Sequence, residues 1–389
     1  MIRFLTAGES HGPKLVGILD GIPYGLSLSL EKINQDLKRR QIGAGSSSRM
    51  TFEKDKVQIT GGLLKGITTG GPISLEILNQ DYKNWKNRKI NPMTLPRPGH
   101  VDLPAALKYG YGDLRFGLER ASARETAMRT AIGSICKILL EVLGIWIGAF
   151  VIQIGAEKVT LTPLSWRKQW EWAENNPFRI PKESDFRVWE TLLDKAVNHG
   201  DTLGGAILCI AEGVPPGIGS FSQSEEKLDA QIGSALLSIP SVKGVDFGFA
   251  FENCQKWGSQ YHGTIIEKKG IVSPQESLSG GIDGGLSNGA PILVRAFLKP
   301  ISTLKKGNPS WDLKKWTIRK AAYQRSDVLA LPRAVPVIEG MVAFVLAKNV
   351  LKKTGGDSME EVEKAFQALK KGRKEDFHFW DKKWNFSYD

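Results

Sequence analysis

The stretch Asp20-Gly21-Ile22-Pro23-Tyr24-Gly25-Leu26 is answered later in the chain by Glu212-Gly213-Val214-Pro215-Pro216-Gly217-Ile218, and this echo decides the expected fold. Each copy follows an apolar run, Leu15 to Leu19 or Ala206 to Ala211, and each precedes a Ser-rich stretch that opens an amphipathic pattern. Leu30, Ile33 and Leu37 predict a helix over about residues 30–40. Leu228, Ile232 and Leu236 predict its counterpart over about 225–238, because residues three and four apart share a helix face. Downstream, Thr69-Gly70-Gly71-Pro72-Ile73-Ser74-Leu75 is answered by Asn288-Gly289-Ala290-Pro291-Ile292-Leu293-Val294. Arg120-Ala121-Ser122 is answered by Arg325-Ser326-Asp327, each ahead of a long helical pattern. Preserved order with unequal spacing predicts an α+β chain made of two related halves, about 1–150 and 200–350, within a single domain over 1–389. Such a duplication would bring Ser122 and Asp327 to equivalent places on the two sides of one cleft.

The rest of the chain fits around that core. With 389 residues, 41% hydrophobic and 24% charged, and with its 42 Gly and 19 Pro dispersed, it excludes disordered and collagen-like classes. Cys136, Cys209 and Cys254 are far apart and form no CxxC pair, which argues against a disulfide framework or a zinc site and for buried thiols in a reducing compartment. The longest apolar run, Ile145 to Ile152, is well short of the roughly 20 residues that span a bilayer. No secretory leader pattern opens the chain. The expectation is a cytoplasmic protein with no membrane partner.

Two segments read as surface insertions: 81–91, polar and basic, and 158–197, peripheral, whose Trp166, Trp170, Trp172 and Trp189 would cover apolar surface. A buried helix is expected over Val337 to Val350. A tail over 354–389 follows, holding a helix with Ser358 and Glu361 at capping-box spacing.

The excess of 53 Lys and Arg over 41 Asp and Glu, a formal +12, predicts an anionic partner. Its distribution separates the candidates. Arg and Lys gather at Gly-rich turns and helix ends: Lys38-Arg39-Arg40 before Gly43 to Arg49, Arg97 beside His100, and Arg120, Arg124 and Arg129 around a helix start. That grouping favours a small, multiply anionic ligand over a nucleic acid, which would select an extended basic stripe. Ser122 and Glu125 also have capping-box spacing at that helix start. Of five His, His11 in Gly8-Glu9-Ser10-His11-Gly12 and His100 in Arg97-Pro98-Gly99-His100-Val101-Asp102 lie in turns that expose a proton donor or acceptor beside charge. His199, His262 and His378 have no such setting. There is no phosphate-loop, dinucleotide, HExxH or GxSxG pattern. The residues by themselves point to proton chemistry on a phosphorylated or carboxylated metabolite. A basic nucleic-acid-binding protein is the alternative, recognisable by an affinity that falls steeply with salt.

Four segments resemble the motifs of the chorismate synthase family: Gly8 to Gly12; Arg97 to His100 with Asp102; Ser122-Ala123-Arg124-Glu125-Thr126; and Arg325-Ser326-Asp327 followed by Arg333-Ala334-Val335-Pro336-Val337 and Glu339. Asp201 to Gly205, Val242 to Val245, Gly284 to Gly289 and Lys299 to Thr303 match as well, in family order. The resemblance implies a sandwich of sheets around helices, assembled as a homotetramer. It also implies 1,4-elimination of phosphate from 5-enolpyruvylshikimate 3-phosphate to give chorismate, with reduced FMN required and NADPH as a candidate flavin reductant.

By the same resemblance, His11 would protonate the departing phosphate and His100 would hold or protonate the flavin. Asp327 with Ser10 would form a proton relay, and Ser122 would be a further active-site hydroxyl. FMN would lie at Arg120, Ala121 and Ser122, at Pro240 and Ser241, at Gly284, at Lys299, Pro300, Ile301, Ser302 and Thr303, and at Arg325. The substrate would lie at Arg40, Arg49, Arg97 and Arg124. Arg40 also matches a position linked to NADP, as does the loop at Ser46. The chain departs from the family pattern at Ser46, where Arg is common, and at Ser326-Val328-Leu329, where His, Pro and Cys are common. No residue set implies a metal.

Overall fold

A computed structural model of the chain describes residues 2–46, 54–275, 277–321 and 327–386. The first half begins with β1 (Arg3–Ala7) and β2 (Lys14–Asp20). Helix α1 (Leu30–Gln41) follows, then β3 (Val57–Gly61), a small hairpin of β4 (Leu63–Leu64) and β5 (Ile67–Thr68), and β6 (Ile73–Leu78). Its sheet is antiparallel with strand order β1-β2-β6-β3. Along β2 burial alternates, with Leu15, Gly17 and Leu19 facing inward, as one covered face requires. A Cβ at Gly17 would stand 2.6 Å from the Met128 sulfur, so glycine lets the central helix lie close to this strand. Short helices α2 (Tyr82–Trp85), α3 (Asp102–Tyr109) and α4 (Arg115–Ala121) lead into that helix, α5 (Thr126–Val142).

The rest of the chain builds a second sheet and the other long central helix. Strand β7 (Trp146–Ile154) carries a short partner, β8 (Glu157–Lys158), and helices α6 (Trp166–Glu174) and α7 (Arg187–Asn198) follow. Then come β9 (Gly205–Glu212), α8 (Leu228–Leu237), β10 (Val242–Phe247) and the short helices α9 (Ala250–Asn253) and α10 (Gly258–Tyr261). Hairpins β11 (Ile265–Lys268) with β12 (Ile271–Pro274) and β13 (Ile282–Asp283) with β14 (Leu286–Ser287) precede β15 (Ile292–Leu298). A last hairpin, β16 (Pro309–Asp312) with β17 (Thr317–Lys320), leads towards α11 (Leu331–Thr354) and α12 (Met359–Gln367). The five-stranded sheet has order β10-β15-β9-β7-β8. The echoed turns follow β2 and β9, and the echoed Gly-Pro segments enter β6 and β15. Arg120-Ala121-Ser122 stands just ahead of α5, and Asp327 stands ahead of α11.

Helix α5 packs on β2 and β6, α11 packs on β7 and β9, and the two helices pack on each other. They cross where Gly133 meets Gly340: a Cβ at Gly133 would lie 2.2 Å from the Gly340 Cα. Gly133→Ala is therefore expected to force α5 and α11 apart and destabilise the protein by about 1–3 kcal/mol or more, read as a lowered Tm. An unchanged Tm would show that the crossing tolerates a methyl group. Strand β9 is buried on both faces: its outer side, with Phe150 and Ile152 of β7, packs against Trp166 and Trp170 of α6. Trp166 and Trp170 of the 158–197 segment thus cover apolar surface and Trp189 is itself buried, whereas Trp172 is half-buried and belongs to neither apolar cluster.

Several local expectations are corrected. Leu30 is 46% exposed, because α1 buries the face holding Ile33, Asp36, Leu37 and Arg40 and its first turn projects beyond that contact. The helix expected from Val337 starts at Leu331. Pro336 lies in its second turn, close enough to the start that only one backbone bond is lost. Although α11 is apolar over a length that could cross a bilayer, most of it is buried in the core. Ser122 and Glu125 form no capping box: Ser122 caps the short 3-10 turn 123–125 through the Arg124 N–H, while Glu125 accepts from Thr6 and Arg129. The box at Ser358 and Glu361 does form. Cys136 and Cys209 are buried, and burial pushes the Cys136 thiol up to about 12, but Cys254 is exposed.

Candidate active site

The turn joining β1 to β2 is built tightly. Gly8 has φ +112°, and a Cβ there would meet the Lys14 carbonyl at 2.5 Å. The turn is fastened to α4 by one residue: Glu119 accepts the Ser10 N–H at its carbonyl (3.0 Å) and the His11 N–H at Oε2 (2.8 Å), and its Oε1 lies 2.7 Å from His11 Nδ1. Trp85 packs against the imidazole, with ring centroids 4.1 Å apart. Buried Ser10 accepts a hydrogen bond from the Ser122 hydroxyl at 3.1 Å.

Beside this pair lies a buried charge cluster. Arg124 bonds Asp55 Oδ1 (2.6 Å) and Asn79 Oδ1 (2.8 Å), and Asn79 in turn donates to the Glu9 and Gly12 carbonyls of the His11 turn. Arg40 reaches the other oxygen of Asp55, together with the Thr126 hydroxyl (3.0 Å) and the Ala123 carbonyl (2.7 Å). Arg333, in the first turn of α11, donates from Nε to the Arg40 carbonyl (3.0 Å) and from Nη1 to Asp327. The Ser10, Ser122, Arg40, Arg124 and Asp327 of the sequence reading therefore belong to one connected group.

His100 heads a second group. Its Nδ1 lies 2.6 Å from Asp102 Oδ1, and Arg97 grips the same carboxylate from Nε (2.8 Å), Nη2 (2.9 Å) and its backbone N–H (3.0 Å). Burial alone would raise the Asp102 pKa, but bonds from Arg97 and His100 reverse this and hold it well below the usual carboxylate range. Arg97 also reaches the Thr303 hydroxyl (3.4 Å), and Lys299 Nζ donates to the Gly99 carbonyl. The Lys299 ammonium has a lowered pKa, through burial and then through the charge of Lys243.

The remaining predicted positions join these groups unevenly. Arg120 donates to Thr6, whose hydroxyl bonds Glu125, and Arg129 links Glu125 to Ser238, two residues before Pro240. Ser241 has φ +75°, and its carbonyl accepts the Lys299 N–H (2.9 Å), joining this region to the His100 group. Ile301 accepts from the Thr202 hydroxyl (2.7 Å). Gly284 lies in the β13–β14 turn, and its neighbour Gly285 packs on Ser220 and Lys227 near the start of α8. The Ser46 hydroxyl donates to the Gly43 carbonyl (2.7 Å) and so is spent on its own turn. Arg49, Arg325 and Ser326 lie outside the described residues. A separate hollow of about 460 Å³ is lined by Ser27, Ser29, Lys32 and Glu141, and the Lys32–Glu141 ion pair (2.7 Å) already neutralises it.

The two anchoring carboxylates Asp55 and Glu119, together with Asn79, carry no signal of their own in the sequence. Glu119 is one residue outside a recognised motif, the other two gain meaning only when distant segments meet, and Arg333, though inside a motif, is given its partners Arg40 and Asp327 by the structure alone.

The chain matches the chorismate synthase family over residues 2–351. A chorismate synthase of Aquifex aeolicus (strain VF5) is 44% identical over 385 residues, covering 94% of this chain and 96% of that protein. The chain belongs to the chorismate synthase family. A second chorismate synthase, from Caldanaerobacter subterraneus subsp. tengcongensis, is 44% identical, covering 94% of this chain and 97% of its own. A structure described as "Crystal Structure of Chorismate Synthase" superposes with a TM-score of 0.78 at 38% identity, covering 94% of this chain and 96% of the other. Membership makes the chain a lyase of this type, with mixed helix and strand content. The alternative of a nucleic-acid-binding protein finds no support among these relatives.

Proposed function

We propose that the chain converts 5-enolpyruvylshikimate 3-phosphate to chorismate and phosphate by 1,4-elimination, with reduced FMN bound in the same cleft, as a cytoplasmic step towards aromatic amino acids. The observation that carries this reading is the meeting of the His11 turn, the segment 120–126 and the Asp327–Arg333 segment around Arg40. Such a substrate bears a phosphate and two carboxylates. Arg40, Arg97 and Arg124 are each already held by a buried Asp, so their guanidinium groups are oriented before an anion arrives. Asp55 bonds both Arg40 and Arg124 and so holds the two guanidinium groups on one carboxylate. Arg49 completes the proposed substrate side.

Roles follow from placement. His11 is the proposed acid towards the departing phosphate, with its Nδ1 engaged by Glu119. Ser10, bonded to Ser122, and Asp327, held by Arg333, are the proposed proton relay. The donor set fits a flavin phosphate: Lys299 reaches the Gly99 carbonyl next to His100, and its pKa is lowered by burial and then by the charge of Lys243, so two ammonium groups share this region. When bound, reduced FMN would supply electron density to the elimination, with no net redox change. His100, fixed by Asp102, would hold a proton at the flavin edge. Arg120, Ala121, Ser122, Pro240, Gly284, Pro300, Ile301, Ser302, Thr303 and Arg325 complete the proposed cofactor side. NADPH near Arg40 and Ser46 is the candidate reductant. The proposed architecture is two pseudo-symmetric halves in a single domain, assembled as a homotetramer.

The test is anaerobic incubation with the enolpyruvyl substrate and reduced FMN, following chorismate and phosphate. Folded, flavin-loaded protein that releases neither would defeat the proposal. Lys299→Ala is expected to weaken FMN binding about tenfold, or ~1.4 kcal/mol, in an anaerobic titration. Unaltered affinity would remove Lys299 from the flavin site.

A further inference from the structure

Resting on His11 as the acid of the proposed reaction, we infer that Glu119 is its positioning residue: the Glu119 carboxylate fixes the imidazole tautomer, and Trp85 fixes the plane of the ring. A carboxylate accepts hydrogen bonds only, and a backbone N–H only donates. Glu119 uses Oε2 for the His11 N–H (2.8 Å) and sets Oε1 against Nδ1 (2.7 Å). Nδ1 must therefore carry hydrogen whether the ring is neutral or charged, and proton exchange is confined to Nε2. A proton given up from Nε2 leaves the ring in the tautomer that Glu119 already holds, so transfer requires no reorientation.

Trp85 lies against the ring with a 43° tilt. Its own position is set by its indole N–H on Asp81 (3.0 Å) and by the Arg88 guanidinium, 5.0 Å from its ring centroid. The basic segment 81–91, which looked like mere surface in the sequence, thereby acquires a task at the site.

Glu119→Gln makes the inference sharp. The amide oxygen must take the His11 N–H, which turns the NH2 towards Nδ1. Nδ1 then has to accept, the ring hydrogen moves to Nε2, and an imidazolium would set two N–H groups against each other. With 15N-labelled histidine, NMR of the wild-type protein should show His11 protonated on Nδ1. E119Q should show it on Nε2, with kcat for phosphate release lowered about 10²-fold or more and KM within a few-fold. Glu119→Asp, which keeps two acceptor oxygens, should keep the Nδ1–H tautomer and lose less. Wild-type His11 protonated on Nε2 overturns the inference without reliance on any variant, as does E119Q that keeps the wild-type tautomer. A tautomer that switches while turnover stays unchanged upholds Glu119 and instead removes His11 as the acid.

Discussion

Replacing His11 with Ala is expected to lower the rate of phosphate release by about 10²- to 10⁴-fold, the range over which a positioned acid contributes, with KM changed by no more than a few-fold. The separation follows from the geometry. His11 lies on a turn whose backbone is fastened to α4 by the Ser10 and His11 N–H groups, and both bonds survive removal of the ring. The guanidinium groups proposed to bind the substrate anion are held by Asp55, Asn79 and Asp102, none of which touches the imidazole in the contacts described. Substrate affinity and the flavin region should therefore persist while the proton source is lost. The measurement is anaerobic turnover with reduced FMN alongside a separate flavin titration. Phosphate released at the wild-type rate would show that the proton comes from elsewhere, with the Ser10–Ser122 pair the nearest alternative.

How far the sequence could anticipate this arrangement depended on the range of the interaction. The echoed turns at Asp20 and Glu212 are local backbone events, and they mark the ends of β2 and β9 correctly because Gly and Pro act on their own dihedrals. The amphipathic patterns of α1 and α8 were legible for the same reason, except at Leu30, where burial depends on how far a neighbouring helix extends. The turns carrying His11 and His100 were visible as motifs, but their support was not. Asp55 pairs with Arg124 across 69 positions and Glu119 with His11 across 108, and neither carboxylate differs in local context from a solvated one. Lys38-Arg39-Arg40 shows the limit most clearly. Adjacent in sequence and read together as a dipole-favoured helix end, Arg39 and Arg40 diverge, one into the core and one into the site.

The core branch of that divergence sets the largest stability effect. Glu339 on α11 is fully buried and takes bonds from Arg39 (2.6 and 2.8 Å), Lys137 of α5 (2.8 Å), the Ala149 N–H of β7 (3.0 Å) and Trp170 of α6 (3.3 Å). Asp36 and Glu174 also bind Arg39, and Arg179 binds Glu174 while donating to the Arg39 carbonyl. Three carboxylates thus balance three cations. Burial would raise the Glu339 pKa, but Arg39 and Lys137 override it and hold it far below the usual carboxylate range; Asp36 is lowered in the same way. A carboxylate depressed on folding contributes stability above its unfolded pKa, near 4, and that stability is lost as pH falls through the lower folded value. Glu339→Ala leaves an uncompensated buried cation and should cost about 3–5 kcal/mol, with a large fall in Tm at neutral pH and a shallower further loss in acid. The paired change Lys137→Met with Glu339→Met restores balance with apolar side chains of similar length, and should recover most of that loss. Equal destabilisation by the single and paired variants would show that the five bonds to Glu339, rather than charge balance, hold α1, α5, α6, β7 and α11 together. Because Arg39 and Arg40 share one helical turn, the paired variant should also keep Arg40 in register with Asp55 and Arg333, so turnover should return together with Tm.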